Sequence, residues 1–244
     1  MRVAVIADVH GNLGALDAVL SDIRNRKVDL TVNLGDTVSG PLQPHETADR
    51  LMELEYPTIR GNHERQLVSL PLEQLSESDR FTLLQLQPHQ SEWLAGFPPT
   101  LRVADDILMC HGTPASDVDY FLETVDENGC HPALPADVVQ RAAGCSASLI
   151  LCGHTHLPRF LVLADGRSIL NPGSVGLQAY TARWPHAHKI ETGSPQARYT
   201  IATRVENRWK VECVQVDYDW EAAARRAEEN GRPEWALALR AGKV

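Results

Sequence analysis

The stretch Arg60-Gly61-Asn62-His63-Glu64 follows a short β-favouring run, Tyr56-Pro57-Thr58-Ile59, which places it in the loop where a strand ends. A neutral amide oxygen binds cations more weakly than carboxylate or imidazole, so Asn62 makes sense as a ligand where other groups supply the charge. The chain offers such groups after four further strand-like runs: Asp8-Val9-His10, Gly35-Asp36, His111-Gly112 and Gly153-His154-Thr155-His156.

Around these clusters the chain alternates strand and helix patterns. Val3–Ala7 is short and apolar, as a buried strand is, and Leu13, Leu16, Val19, Leu20 and Ile23 then share one helical face. Leu30–Leu34 repeats the strand pattern before Gly35-Asp36. A helix through Ala48, Leu51, Met52 and Leu54 leads to a third strand at Pro57–Ile59. Such alternation indicates α/β architecture. Ligands of open α/β sheets bind at the carboxyl ends of strands, so the first three clusters are expected along one rim.

Further on, Ser78–Leu86 and a segment through Trp93 and Leu94 read as helices, and Thr100–Val103 pairs with Ile107–Cys110. Residues 113–133 read as a long loop, a lid carrying Asp117, Asp119 and Tyr120, and 178–197 as a polar loop. Pro135–Ala143 is a helix and Ser148–Cys152 a strand. Hairpins are expected around Asp165-Gly166 and Glu206-Asn207. Two helices, Trp220–Glu229 and Pro233–Ala241, close the chain. With no repeat or linker, residues 1–244 read as one domain whose C-terminal helices occupy about 219–241.

Composition narrows the function classes. The 244 residues are 43% hydrophobic and carry a net charge of −9, which argues against stable nucleic-acid binding but not against a phosphate ester beside bound cations. Five cysteines without Cys-x-x-Cys spacing fit reduced thiols, with Cys110 and Cys152 as small buried hydrophobes. No run reaches the roughly 18 apolar residues needed to span a bilayer. With no signal peptide at its start, the chain is expected to be soluble and cytoplasmic.

The five clusters, in this order, resemble the calcineurin-like metallophosphoesterase family, and over about residues 1–180 its small bacterial and archaeal phosphodiesterase-like branch. The resemblance implies an αββα sandwich, two mixed β-sheets flanked by helices. It also implies two divalent transition-metal ions, of the Mn, Fe, Zn, Co or Ni type that His and Asp ligands suit. Asp8, His10 and His156 would bind one ion; Asn62, which would also lie against the substrate, would bind the other with His111 and His154; Asp36 would bridge them. A metal-bridging hydroxide would attack a small phosphomonoester or phosphodiester, with His63 as general acid or phosphate contact.

Other residues carry two readings each. Arg60 is a phosphate contact or a structural arginine. Ser174, in Asn171-Pro172-Gly173-Ser174, is a phosphate contact or part of a tight turn. His186-x-His188 is a further metal pair or a pair of loop histidines. Glu64 stands where many members of the family carry Asp. Ser39 takes the place of the metal-binding Tyr of purple acid phosphatases, which disfavours that branch. Two other functions compete: a non-catalytic scaffold, as in retromer-type relatives, which tend to lose the histidine equivalent to His63, and a nuclease of the same superfamily.

Overall fold

The computed structural model describes residues 1–244. The first half runs β1 (Arg2–Ile6), α1 (Leu13–Arg24), β2 (Leu30–Asn33), α2 (Pro44–Met52) and α3 (Asn62–Ser69). It continues with α4 (Glu77–Gln85), α5 (Pro88–Ala95), β3 (Thr100–Val103), β4 (Ile107–Cys110), β5 (Glu123–Asp126) and β6 (Gly129–Pro132). The second half holds α6 (Pro135–Arg141), β7 (Leu149–Leu151), β8 (Arg159–Val162), β9 (Ser168–Asn171), β10 (Ala179–Ala182) and β11 (His188–Glu191). It ends with β12 (Ala197–Val205), β13 (Arg208–Val216), α7 (Trp220–Glu229) and α8 (Pro233–Ala241).

Two mixed sheets form the centre, in strand orders β13-β12-β1-β2 and β3-β4-β7-β9-β8. The alternation of β1 explains how they stack. Val3, Val5 and Ala7 point between the sheets to meet Val32, Ile107, Met109 and Leu149. Ala4 and Ile6 point the other way, onto Leu16, Val19, Leu20 and Ile23 of α1. Both faces of the strand are therefore buried, which is why it reads as a continuous apolar run. On the outer face of the second sheet, Ile150 and Ile169 pack with Phe121, Leu122 and Val138. The layers are thus helix, sheet, sheet, helix, the expected αββα sandwich. Each fully buried aliphatic side chain in it contributes about 1.5–3 kcal/mol.

Local signals set several boundaries. Asn12 caps α1 by accepting the Ala15 N–H at 3.2 Å, and Gly242, at φ +62°, ends α8 in the left-handed conformation. Three expectations are corrected. Pro57–Ile59 is no full strand: Pro57 lacks an N–H, and only one parallel bridge, Asn33 with Thr58, forms. The expected loop at 113–133 contains the β5–β6 hairpin, and the one at 178–197 contains the β10–β11 hairpin. Both are two-stranded ribbons with polar faces, so they lack a long apolar run. No helix is long and apolar enough to cross a membrane.

Candidate metal centre

Asp8, Asp36, His111 and His154 all follow the carboxyl ends of β1, β2, β4 and β7, and the sandwich turns those ends to one rim. Backbone bonds lace the loops together: Asp8 N–H to Gly35 O, His10 N–H to Asp36 O and Gly153 N–H to His111 O, at 3.0, 3.0 and 2.7 Å. Five of the seven expected ligands sit at positive φ: Asp8 at +55°, His10 at +51°, Asp36 at +52°, His154 at +70° and His156 at +57°. Left-handed backbone costs a non-glycine residue about 1–2 kcal/mol, so the fold concentrates strain at this rim.

The side chains converge in two groups. Asp8, His10 and His156 bring their ligand atoms within 4.8 Å of one another, and so do Asp36, His111 and His154. His111 joins the groups, its Nε2 lying 3.1 Å from Asp36 Oδ2 and 3.9 Å from Asp8 Oδ1. Asn62 opens α3 beside Asp36, whose Oδ1 accepts the His63 N–H at 3.0 Å.

The donor chemistry fits divalent cations. His10, His111 and His156 each donate Nδ1–H to a backbone carbonyl at 2.7 Å, of Ser39, Leu34 and Leu177 respectively. For His10 and His156 that tautomer leaves the Nε2 lone pair inward, the usual arrangement of metal-binding imidazoles. Burial disfavours the His111 imidazolium, yet Asp36 and Asp8 raise it to about 10, so its Nε2 would give up a proton to a bound cation. The Nε2 atoms of His10 and His156 face each other at 3.1 Å. His154 is turned the other way: its Nε2 donates to Val118 O at 3.1 Å, leaving Nδ1 as the electron-pair donor. Asp8 Oδ2 and Asn62 Oδ1 are buried without hydrogen-bond partners, which is costly unless a cation takes their electron pairs.

Burial pushes His10 down to about 4 and His154 to about 3, so both are neutral and free to ligate at pH 7. Burial raises the Asp8 carboxyl to about 8, with the neighbouring His111 opposing the rise. Burial alone would raise Asp36 as well, but the charges of His111 and His63 outweigh it and hold the carboxyl well below its usual range.

His63 lies next to these groups without joining either. Its Nδ1 is 2.7 Å from Asp79 Oδ1, and its Nε2 is 4.0 Å from Asp36 Oδ2. Burial disfavours the imidazolium, yet Asp36 and Asp79 overcome it and raise His63 to about 9. Asp79 also accepts from Ser39 Oγ and Ser76 Oγ at 2.5 and 2.7 Å. Ser76 caps α4 through the Asp79 N–H, so the start of that helix sets the carboxylate beneath the histidine. The sequence reading missed Asp79 because nothing within α4 marks it.

Glu64 acts as a bracket. Fully buried, its carboxylate accepts Asp36 N–H, Thr37 N–H, Gly61 N–H and the Thr37 hydroxyl at 2.7–2.8 Å. Gly61 is needed for close approach: a Cβ there would lie 2.1 Å from Asp36 Oδ1. In Glu64→Ala three backbone donors lose their acceptors, at about 1–3 kcal/mol each. Urea denaturation should therefore show a loss of more than about 3 kcal/mol. A change below 1 kcal/mol, on the same scale, would remove the bracket.

Two expected substrate contacts are not placed at the cleft. Ser174 is fully buried; its hydroxyl donates to Asp8 O and accepts the Leu177 N–H, both at 2.8 Å. It braces the Asp8 turn, and no phosphate reaches it. Arg60 ties its N–H to Pro98 O, and its side chain does not line the cleft. His186 and His188 do not converge either: His188 Nε2 meets the Tyr120 hydroxyl at 2.9 Å, while His186 is exposed.

Two mixed sheets carrying paired His/Asp groups at one rim define a metal-dependent phosphoesterase fold, and the comparisons agree. Residues 1–189 match the calcineurin-like phosphoesterase superfamily domain, and the chain belongs to that family. A metallophosphoesterase structure from Sphaerobacter thermophilus is 27% identical, with TM-score 0.76 over 99% of this chain and 100% of that one. A hypothetical protein from Pyrococcus horikoshii shares the fold, with TM-score 0.74 at 19% identity over 100% of this chain and 99% of that one. An uncharacterized protein from Methanocaldococcus jannaschii is 27% identical over 96% of this chain and 94% of its own length.

Proposed function

We propose that the protein is a dinuclear metal-dependent hydrolase of phosphomonoesters or phosphodiesters. The observation that carries this reading is the pair of converging groups, Asp8/His10/His156 and Asp36/His111/His154, with His63 beside them at an open cleft. In this reading Asp8, His10 and His156 hold one cation, and Asn62, His111 and His154 the other. Asp36 would bridge them. Bound divalent ions there supply a water of lowered pKa and Lewis-acid stabilisation of the phosphoryl oxygens.

The chain's own residues do the remaining work. Backbone carbonyls fix the imidazoles of His10, His111 and His156. Asp79 holds His63 by Nδ1, leaving Nε2 to donate a proton to the oxygen of the departing alcohol. The retained His63 favours an enzyme over a scaffold. The five free cysteines support a reducing, cytoplasmic setting.

The test is hydrolysis of p-nitrophenyl phosphate and bis(p-nitrophenyl) phosphate by protein loaded with Mn²⁺. Activity that chelation abolishes and added metal restores is the expected result. Failure with Mn²⁺, Co²⁺, Ni²⁺ and Zn²⁺ on both esters would contradict the proposal.

A further inference from the structure

One cleft of about 620 Å³ holds the metal-side histidines at one end and an aromatic wall at the other. That volume falls in the range of roughly 300–1,000 Å³ typical of sites that enclose an organic ligand, well beyond what a phosphate group fills. The wall begins directly at the candidate ligands. The Trp235 ring stands edge-on to His10 at 6.0 Å between centroids, and Tyr180 edge-on to His156 at 4.8 Å.

Its polar groups are already committed. The Tyr180 hydroxyl donates to His154 O at 3.2 Å, and the Tyr120 hydroxyl sits between Tyr180 and His188, 2.9 Å from each. These tyrosines therefore offer ring surface rather than hydrogen bonds. Arg232 is the only arginine or lysine in the lining. Its guanidinium bonds Glu234 through Nε and donates to Ser78 Oγ at 2.9 Å, so no free cation remains for further phosphates. At the mouth, Trp184 is 85% exposed and Leu237 is 53% exposed. Large apolar side chains left open beside a cleft mark a binding surface. Trp235 and Leu237 lie beyond residue 189, outside the stretch that matches the family domain.

We propose that this end of the cleft takes an uncharged aromatic ring carried on the alcohol of the phosphate ester, held by Trp184, Tyr180, Trp235 and Leu237. Flat aromatic walls with satisfied hydroxyls select a planar apolar group by stacking and burial, and with Arg232 committed they offer nothing to a polyphosphate chain. The inference rests on the phosphoesterase reading of the metal-side end.

Two measurements separate the two ideas. In the first, calorimetry on Mn²⁺-loaded protein compares 3-phenylpropylphosphonate with propylphosphonate, which differ only in the ring. The ring should tighten binding by about 10-fold or more. Trp184→Ala and Leu237→Ala replace exposed side chains, so the fold survives, and each should cut that ratio at least about threefold. In the second, the phenylpropyl, propyl and octyl phosphates are compared as substrates, since their leaving alcohols are closely matched in acidity. Preference for the phenylpropyl ester supports the pocket. Ring discrimination by the phosphonates without hydrolysis of any of these esters or of the p-nitrophenyl mono- and diester keeps the pocket and removes the phosphoesterase reading. Equal binding of the two phosphonates overturns the pocket, as does preference for the octyl ester. Equal binding together with a dimer that Trp184→Ala dissociates also overturns it, assigning this face to a second copy of the chain.

Discussion

Asp36→Asn should bind fewer metal ions than the wild type and lose more than about 10³-fold in phosphoester hydrolysis. The carboxylate is buried in one ligand group, with Oδ2 3.1 Å from His111 Nε2, which itself lies 3.9 Å from Asp8 Oδ1 of the other group, and with Oδ1 held by the His63 N–H at 3.0 Å. An amide keeps the shape but removes the charge, and it turns an NH₂ towards groups that themselves donate or bind cations. A bridge between two cations needs a full negative charge more than any other position in the site. Elemental analysis and initial rates on the same preparation check the result. Normal metal content in an active Asp36→Asn protein would take Asp36 out of the bridge.

His63→Ala is expected to behave differently, keeping its metal while turnover falls by about 10²–10⁴. The imidazole belongs to neither ligand group, so its removal leaves them intact, but in the proposed mechanism the departing alcohol would then leave without a proton donor. Esters of poorly acidic alcohols should therefore suffer more than p-nitrophenyl esters. Asp79→Asn should lose about 10–100-fold, because it disturbs the orientation of the same imidazole without removing it. Turnover of His63→Ala within threefold of wild type on an alkyl ester, far above that range, would end its role as the acid.

Much of the site was legible because β1, β2, β4 and β7 are short, buried apolar runs that each stop at Asp, Asp, His and Gly-His. Such runs announce a strand and its end together, and the crevice rule places those ends at one rim. What was illegible depends on distant packing. Asp79 reaches His63 only once α4 is docked and capped by Ser76, sixteen residues away from the imidazole it holds. The bracket made by Glu64 needs the loop after β2 folded against the start of α3. The positive φ of five ligand residues leaves no trace in residue types that Asp and His share with ordinary loops. Ser174 read as a phosphate contact or as part of a turn, and its burial against Asp8 O decides for the turn. The β5–β6 and β10–β11 ribbons passed for loops because their exposed polar residues interrupt the apolar pattern, and with the second the wall around Tyr180 was missed.

The most direct test of the dinuclear account is metal stoichiometry measured beside hydrolysis. Protein loaded with Mn²⁺, freed of excess ion and assayed on phosphate mono- and diesters, should retain about two ions per chain and turn over ester in proportion to its metal content. One retained ion per chain with full activity, or none retained at all, would contradict it.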